Sequence, residues 1–202
     1  MPTIRNAVLD AVLAALPIAI VYFSGWAFLS SYLAEFGIDA TQAVVPTATV
    51  LTYAVKPISS WQFGVWLAIA VFLLALRWRK WPRPWPGTIT VPAATLAMLT
   101  LVLLLVWAAK DGARANAERV WQGHKSITIA HLKQDVLPDE RRKYYNRCVE
   151  ERRLRQIIGL ADTLFLLCRS STQPGHHGVM FVINKDREIV YSAERKRHVE
   201  ME

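Results

Sequence analysis

The chain has 202 residues, 53% of them hydrophobic, with 24 basic against 16 acidic side chains and a net charge of +8. Its two cysteines are too few for a disulfide framework, and no CxxC or Cys/His cluster points to zinc. Only nine charges fall between Met1 and Ala109 (Arg5, Asp10, Glu35, Asp39, Lys56, Arg77, Arg79, Lys80 and Arg83), which excludes an evenly charged globule and marks a change of solvent near residue 110.

In chain order, the first apolar run lies between Asp10 and Glu35, with Pro17 inside it. It is too long for a signal h-region and lacks a clear cleavage site, so it reads as a retained helix. A helix needs roughly 20 apolar residues to cross a ~30 Å hydrocarbon core. By that measure the spacing predicts three spans, at about 11–34, 58–76 and 88–109, which make 1–109 a transmembrane domain. The uncharged segment 40–55 is short, threonine-rich and broken by Pro46, and reads as interfacial or re-entrant. Leucine and valine surround the third run on all faces, as a helix in an apolar solvent requires. Trp61, Trp66, Trp78, Trp81, Trp85 and Trp107 sit at the expected boundaries, where indoles collect at headgroup level.

The link between the second and third runs, RWRKWPRPWP, carries four basic residues and no acid. Such loops stay in the cytoplasm, which puts the C-terminal domain on the periplasmic or extracellular side. A four-span arrangement would reverse this and violate the charge rule.

Beyond the third run, 110–123 reads as a linker helix that is a polar extension of the third helix, and 124–202 as a soluble domain. Strands are expected at Ser126–Leu132, Thr163–Arg169, Val179–Asn184 and Glu188–Ala193, the last two forming a hairpin. A charged helix is expected from Asp139 to about Arg152, with a further strand beginning at Leu154. The expected fold class is therefore a membrane α-helical protein of about three transmembrane helices with a small C-terminal α+β or β-barrel-like soluble domain.

FLSSYLAEFGID (Phe28–Asp39) resembles a recurring segment of uncharacterised bacterial inner-membrane proteins. LRQIIGLADTLFLL and GVMFVINKDREIVYSAE are similar to small β-rich tails on such proteins. The resemblance covers about a quarter of the chain. It implies a bacterial inner (plasma) membrane protein and carries no activity, so no catalytic residue follows from it.

No catalytic, cofactor or metal residues are assigned. GxSxG, Walker, HExxH and GxGxxG patterns are absent from the sequence. His176 and His177 read as an exposed loop pair. The basic clusters Arg141–Lys143, Arg152–Arg155 and Arg195–Arg197 are interleaved with acids and read as solvated faces, with anionic lipid headgroups as possible partners and no nucleic acid. Cys148 and Cys168 fit either a disulfide or two free thiols. Small residues at four-residue spacing, Ala7, Ala11, Ala15 and Ala19 in the first run and Gly64 with Ala68 in the second, are candidate helix-packing positions.

The function these features suggest is a membrane-anchored, non-enzymatic interaction module that self-associates or binds a membrane partner, such as an accessory subunit, sensor or immunity-type protein. The alternative is an oligomeric pore, for which Thr47, Thr49, Thr52, Ser59 and Ser60 are the one concentration of hydroxyls.

Overall fold

The computed structural model describes residues 4–41, 43–59, 64–65, 68, 87–124, 132, 140–173 and 175–197. Its elements are α1 (Ile4–Ala34), α2 (Thr47–Ile58), α3 (Gly87–Trp121), α4 (Glu140–Glu150), β1 (Leu154–Gly159), β2 (Thr163–Arg169), β3 (His177–Asn184) and β4 (Ile189–Lys196). The chain divides into two compact units, Met1–Leu29 with Thr47–Gly112, and Ser30–Pro46 with Ala113–Glu202. Both α1 and α3 contribute residues to each unit.

In the first unit α1 and α2 approach closely at Gly25. A Cβ there would lie 2.1 Å from the Val50 carbonyl oxygen and 3.1 Å from the Ala54 side chain, so only glycine fits without displacing backbone. Beside it, the buried Ser24 hydroxyl donates to the Ala54 carbonyl at 3.4 Å. Phe28 stacks on Tyr53 with ring centroids 5.7 Å apart, and Lys56 Nζ lies 5.8 Å from the Phe28 ring centroid. Val50, Ala54 and Pro57 form the buried face of α2. Large apolar side chains on all three helices are exposed, including Ile18 and Phe23 on α1, Val55 on α2, and Leu96, Leu103 and Trp107 on α3.

The expected three-span architecture is overturned. Among the described residues one helix is long and apolar enough to cross a membrane, α1 through its segment Pro17–Ala34. The expected span at 58–76 lies mostly outside the described residues. The one at 88–109 falls within α3, which runs unbroken for 35 residues to Trp121, so the polar stretch after Ala109 continues the same helix, as expected of an extension. Nor is α3 exposed on all faces. Leu105, Ala109, Ala113 and Ala117, four residues apart, are buried. Apolar composition alone does not say which face of a helix meets protein. Segment 40–55 contributes most of α2, whose twelve residues are about 18 Å long at 1.5 Å per residue, too short to cross.

The second unit is built around an open antiparallel meander in the order β1-β2-β3-β4, not a barrel. The charged helix, the strand from Leu154, the Thr163–Arg169 strand and the final hairpin all have counterparts in α4, β1, β2 and β3–β4. The strand expected at Ser126–Leu132 lies, apart from Leu132, outside the described residues.

Both faces of the sheet are covered. On one, Leu154, Leu166, Cys168, Phe181 and Ile183 pack with Tyr145 and Cys148 of α4. The Tyr145 and Phe181 rings meet edge to face at 5.5 Å. A disulfide joins Cys148 to Cys168, Cα atoms 5.9 Å apart, and ties α4 to β2. On the other face lie the end of α1 and the end of α3. Phe36 stacks on Trp121 at 5.9 Å, and a Cβ on Gly178 would come within 3.4 Å of the Trp121 ring. The β1–β2 register shifts between Gln156 and Ile158, leaving Ile157 without a cross-strand partner. The buried Tyr32 hydroxyl donates to the carbonyl of Ile157 at 2.9 Å. A bulge in the edge strand thus supplies the acceptor that α1 requires.

Three helices end alike in this unit. After α1, Ile38 N–H donates to Leu33 O and Gly37 N–H to Ala34 O, with Gly37 at φ 67°. After α3, His124 donates to Arg119 O and Gly123 to Val120 O, with Gly123 at φ 82°. After α4, Arg153 donates to Cys148 O and Arg152 to Val149 O, with Arg152 at φ 52°. These are Schellman caps, which leave the carbonyl of the left-handed residue pointing outward.

Candidate functional site

The basic side chains of the sheet fall into two groups with different roles. The first caps helices. Arg195 Nη2 donates to Gly37 O at 3.2 Å, and Arg155 Nε donates to Gly123 O at 3.1 Å. Arg155 Nη1 also reaches the carbonyls of Arg152 and Leu154, both at 2.8 Å. Strand arginines therefore meet the negative ends of α1, α3 and α4, where cations are favoured. Burial pushes the Arg155 guanidinium below its ordinary pKa. Arg169 moves the same way, through burial and then the nearby charge of Arg155. The clusters expected at Arg152–Arg155 and Arg195–Arg197 are thus not wholly solvated: Arg155 is buried, because carbonyls of helix ends replace water around it.

The second group surrounds an open cleft of about 660 Å³ where β2 turns into β3. Thr172, Gln173, His176, His177, Lys196 and Arg197 line it. The turn is held locally: the backbone N–H groups of Thr172 and Gln173 donate to Ser170 Oγ, and those of His176 and His177 to Gln173 O. Arg197 N–H donates to His176 O at 2.8 Å and closes the far side. The β3–β4 register sets His177 directly opposite Lys196. Among the described residues no carboxylate lines the cleft. Among the described residues Arg197 has one acidic neighbour, Glu118, at 3.6 Å. The cleft therefore collects two permanent cations, two imidazoles, a hydroxyl and a side-chain amide. It is an arrangement for holding an anion with several acceptor atoms.

In the sequence His176 and His177 stand as a loop pair, because their pairing with the end of β4 depends on a register shift that no local pattern marks. Outward from the Asn184–Glu188 turn, the extra residue at Val190 shifts the register by one and brings Lys196 opposite His177. Among the described residues no group of three or more metal-binding side chains forms.

The helix-packing candidates lie apart from this cleft. Ala11, Ala15 and Ala19 are exposed along α1, and Ala7 is in the same helix. Gly64 and Ala68 are exposed, and a Cβ on Gly64 would meet nothing within 4 Å. Among the described residues a small residue that does bring helices together is Gly25, which no four-residue repeat marks. Cys148 and Cys168, left open in the sequence, are joined. Of the hydroxyls weighed for a pore, Thr52 and Ser59 donate to carbonyls of Ala48 and Lys56 in their own helix. Comparison with protein-family models, curated proteins and solved structures finds no match.

Proposed function

We propose that the chain is a bilayer-anchored binding module: the first unit seats in lipid, and the sheet unit presents the basic cleft to a ligand or partner. The observation that carries this is the exposure of large apolar side chains in the first unit. Ile18 is 70% exposed, Leu96 65%, Val55 63% and Leu103 61%. Water does not tolerate a broad surface of this kind, and a bilayer or a membrane partner would cover it. The disulfide supports an oxidising location for the sheet unit, such as the periplasm or cell exterior, since such bonds persist there and not in a reducing cytosol.

Two measurements test the reading. The native chain should stay in the membrane pellet through alkaline carbonate and leave it only with detergent. A C-terminal alkaline phosphatase fusion should be active, and a green fluorescent protein fusion dark. Release by carbonate removes the anchoring. The reverse fusion pattern removes the assigned side.

A further inference from the structure

We infer that the cleft between the β2–β3 turn and the end of β4 binds a phosphoryl group, carried either by a lipid headgroup or by a soluble phosphate ester. This rests on the sheet unit being the binding part of the chain and is independent of whether the first unit enters lipid. The donors come from three places in the fold and converge on one opening: Thr172 and Gln173 before the turn, His176 and His177 at the start of β3, and Lys196 with Arg197 at the end of β4. Antiparallel pairing holds His177 and Lys196 side by side. Placing two such groups across a ladder is unfavourable when both are charged, unless an anion lies between them. Among the described residues no acid lines the cleft to serve as that anion. The nearest carboxylate along the same face of β4 is Glu194, which pairs with Val179 one step away and is not among the lining residues.

The mixture of donors argues for phosphate over a carboxylate. A guanidinium presents a planar fork that fits two phosphate oxygens, and an ammonium supplies a point charge to a third. Glu118, 3.6 Å from the Arg197 guanidinium, orients that fork from outside the opening without occupying it. Imidazole, hydroxyl and amide groups supply further donors. A flat carboxylate would use only part of this set. The cleft is open and shallow enough for the group that bears the phosphate to remain outside, so recognition falls on the phosphoryl end.

The full chain in neutral detergent provides the test. Inorganic phosphate should shift the imidazole proton resonances of His176 and His177 saturably, and Lys196→Gln should weaken the apparent affinity about tenfold or more, as expected for losing one charge-assisted contact. Lys196→Arg should retain it. The single variant Lys185→Gln removes equal charge from the exposed β3–β4 turn and should leave binding unchanged. A parallel arm uses nanodiscs of phosphatidylcholine with and without phosphatidic acid. A response to phosphate in solution assigns a soluble ester. A response only to phosphatidic acid assigns the headgroup. A response in neither arm, or equal loss in the Lys196→Gln and turn variants, overturns the proposal. The anchoring reading fails separately, on carbonate extraction.

Discussion

Arg155 shows how a charged residue can be part of an interior without an acid beside it. Its guanidinium makes three hydrogen bonds: one nitrogen on Gly123 O and another shared between Arg152 O and Leu154 O, all main-chain carbonyls. Two of these carbonyls close helices, so the cation meets the negative ends of α3 and α4 at once. Removing it strips partners from several part-buried acceptors. Arg155→Ala is expected to cost about 2–3 kcal/mol, the range for hydrogen bonds to charged groups left unmade. Arg155→Lys should recover little, because an ammonium on a flexible stem does not span the three carbonyls. Urea unfolding of the full chain followed by circular dichroism reads both variants. Equal stability of Arg155→Lys and the parent would show that charge, not the fork, is what matters. In the sequence this residue sits in a run of arginines and glutamates and looks solvated. Nothing local distinguishes it, since two of its acceptors are main-chain carbonyls that every residue carries and the third belongs to a helix end 32 positions away.

At the scale of elements, the disulfide between α4 and β2 is the one covalent tie across the layers of the sheet unit. Its sequence separation is 20, and by chain-entropy reasoning a loop of that length loses about 3 kcal/mol of stabilisation when the bond is absent. Cys148→Ser/Cys168→Ser should therefore lower unfolding stability by about that amount, and dithiothreitol added to the native chain should do the same once the buried bond is reached. A variant as stable as the parent would mean that the helix–sheet contact around Tyr145 and Phe181 suffices alone. Here the sequence was informative. The strands Thr163–Arg169 and the final hairpin are legible because β-branched and aromatic residues cluster between turn residues. The helix Glu140–Glu150 is legible as a charged segment between strands, six of its eleven residues being charged. What escaped was the other cover of the sheet. FLSSYLAEFGID reads as the tail of an apolar run, yet Tyr32 and Phe36 within it are buried in the sheet unit. Apolar periodicity reports that a face is buried, not by what, and the partner strand lies more than a hundred residues downstream.

At the scale of the molecule, the same ambiguity explains the overturned span count. Lipid and protein interiors both accept leucine, so an apolar run fixes neither alone. The exposed row Ala11, Ala15 and Ala19 on α1 remains available for contact with another helix. In a bilayer such contact depends on close backbone approach more than on apolarity. Ala11→Leu/Ala15→Leu should therefore weaken self-association or partner binding without impairing membrane insertion, as read by crosslinking or single-molecule photobleaching in native membranes. A monomeric parent with no co-purifying membrane partner would remove that role. Unchanged association in the double variant would place the contact on another surface.

The hydrogen bond from Tyr32 to Ile157 joins residues 125 positions apart, whereas Ser24 and Ala54 are 30 apart. During synthesis this difference becomes an interval. At about 5–20 residues per second, the ribosome needs on the order of ten seconds to make Ile157 after Tyr32. The α1–α2 pair is complete soon after Ile58 emerges. Phe36 must wait for Trp121 at the end of α3 and Tyr32 for β1, and β4 comes last of all. Until then the cover of the sheet has nothing to lie against, and its aromatic rings are available to a holdase. The sheet unit is therefore assembled as a late event, after its final strand has been synthesised, and a nascent chain arrested before β1 would be a chaperone client rather than a partly finished domain.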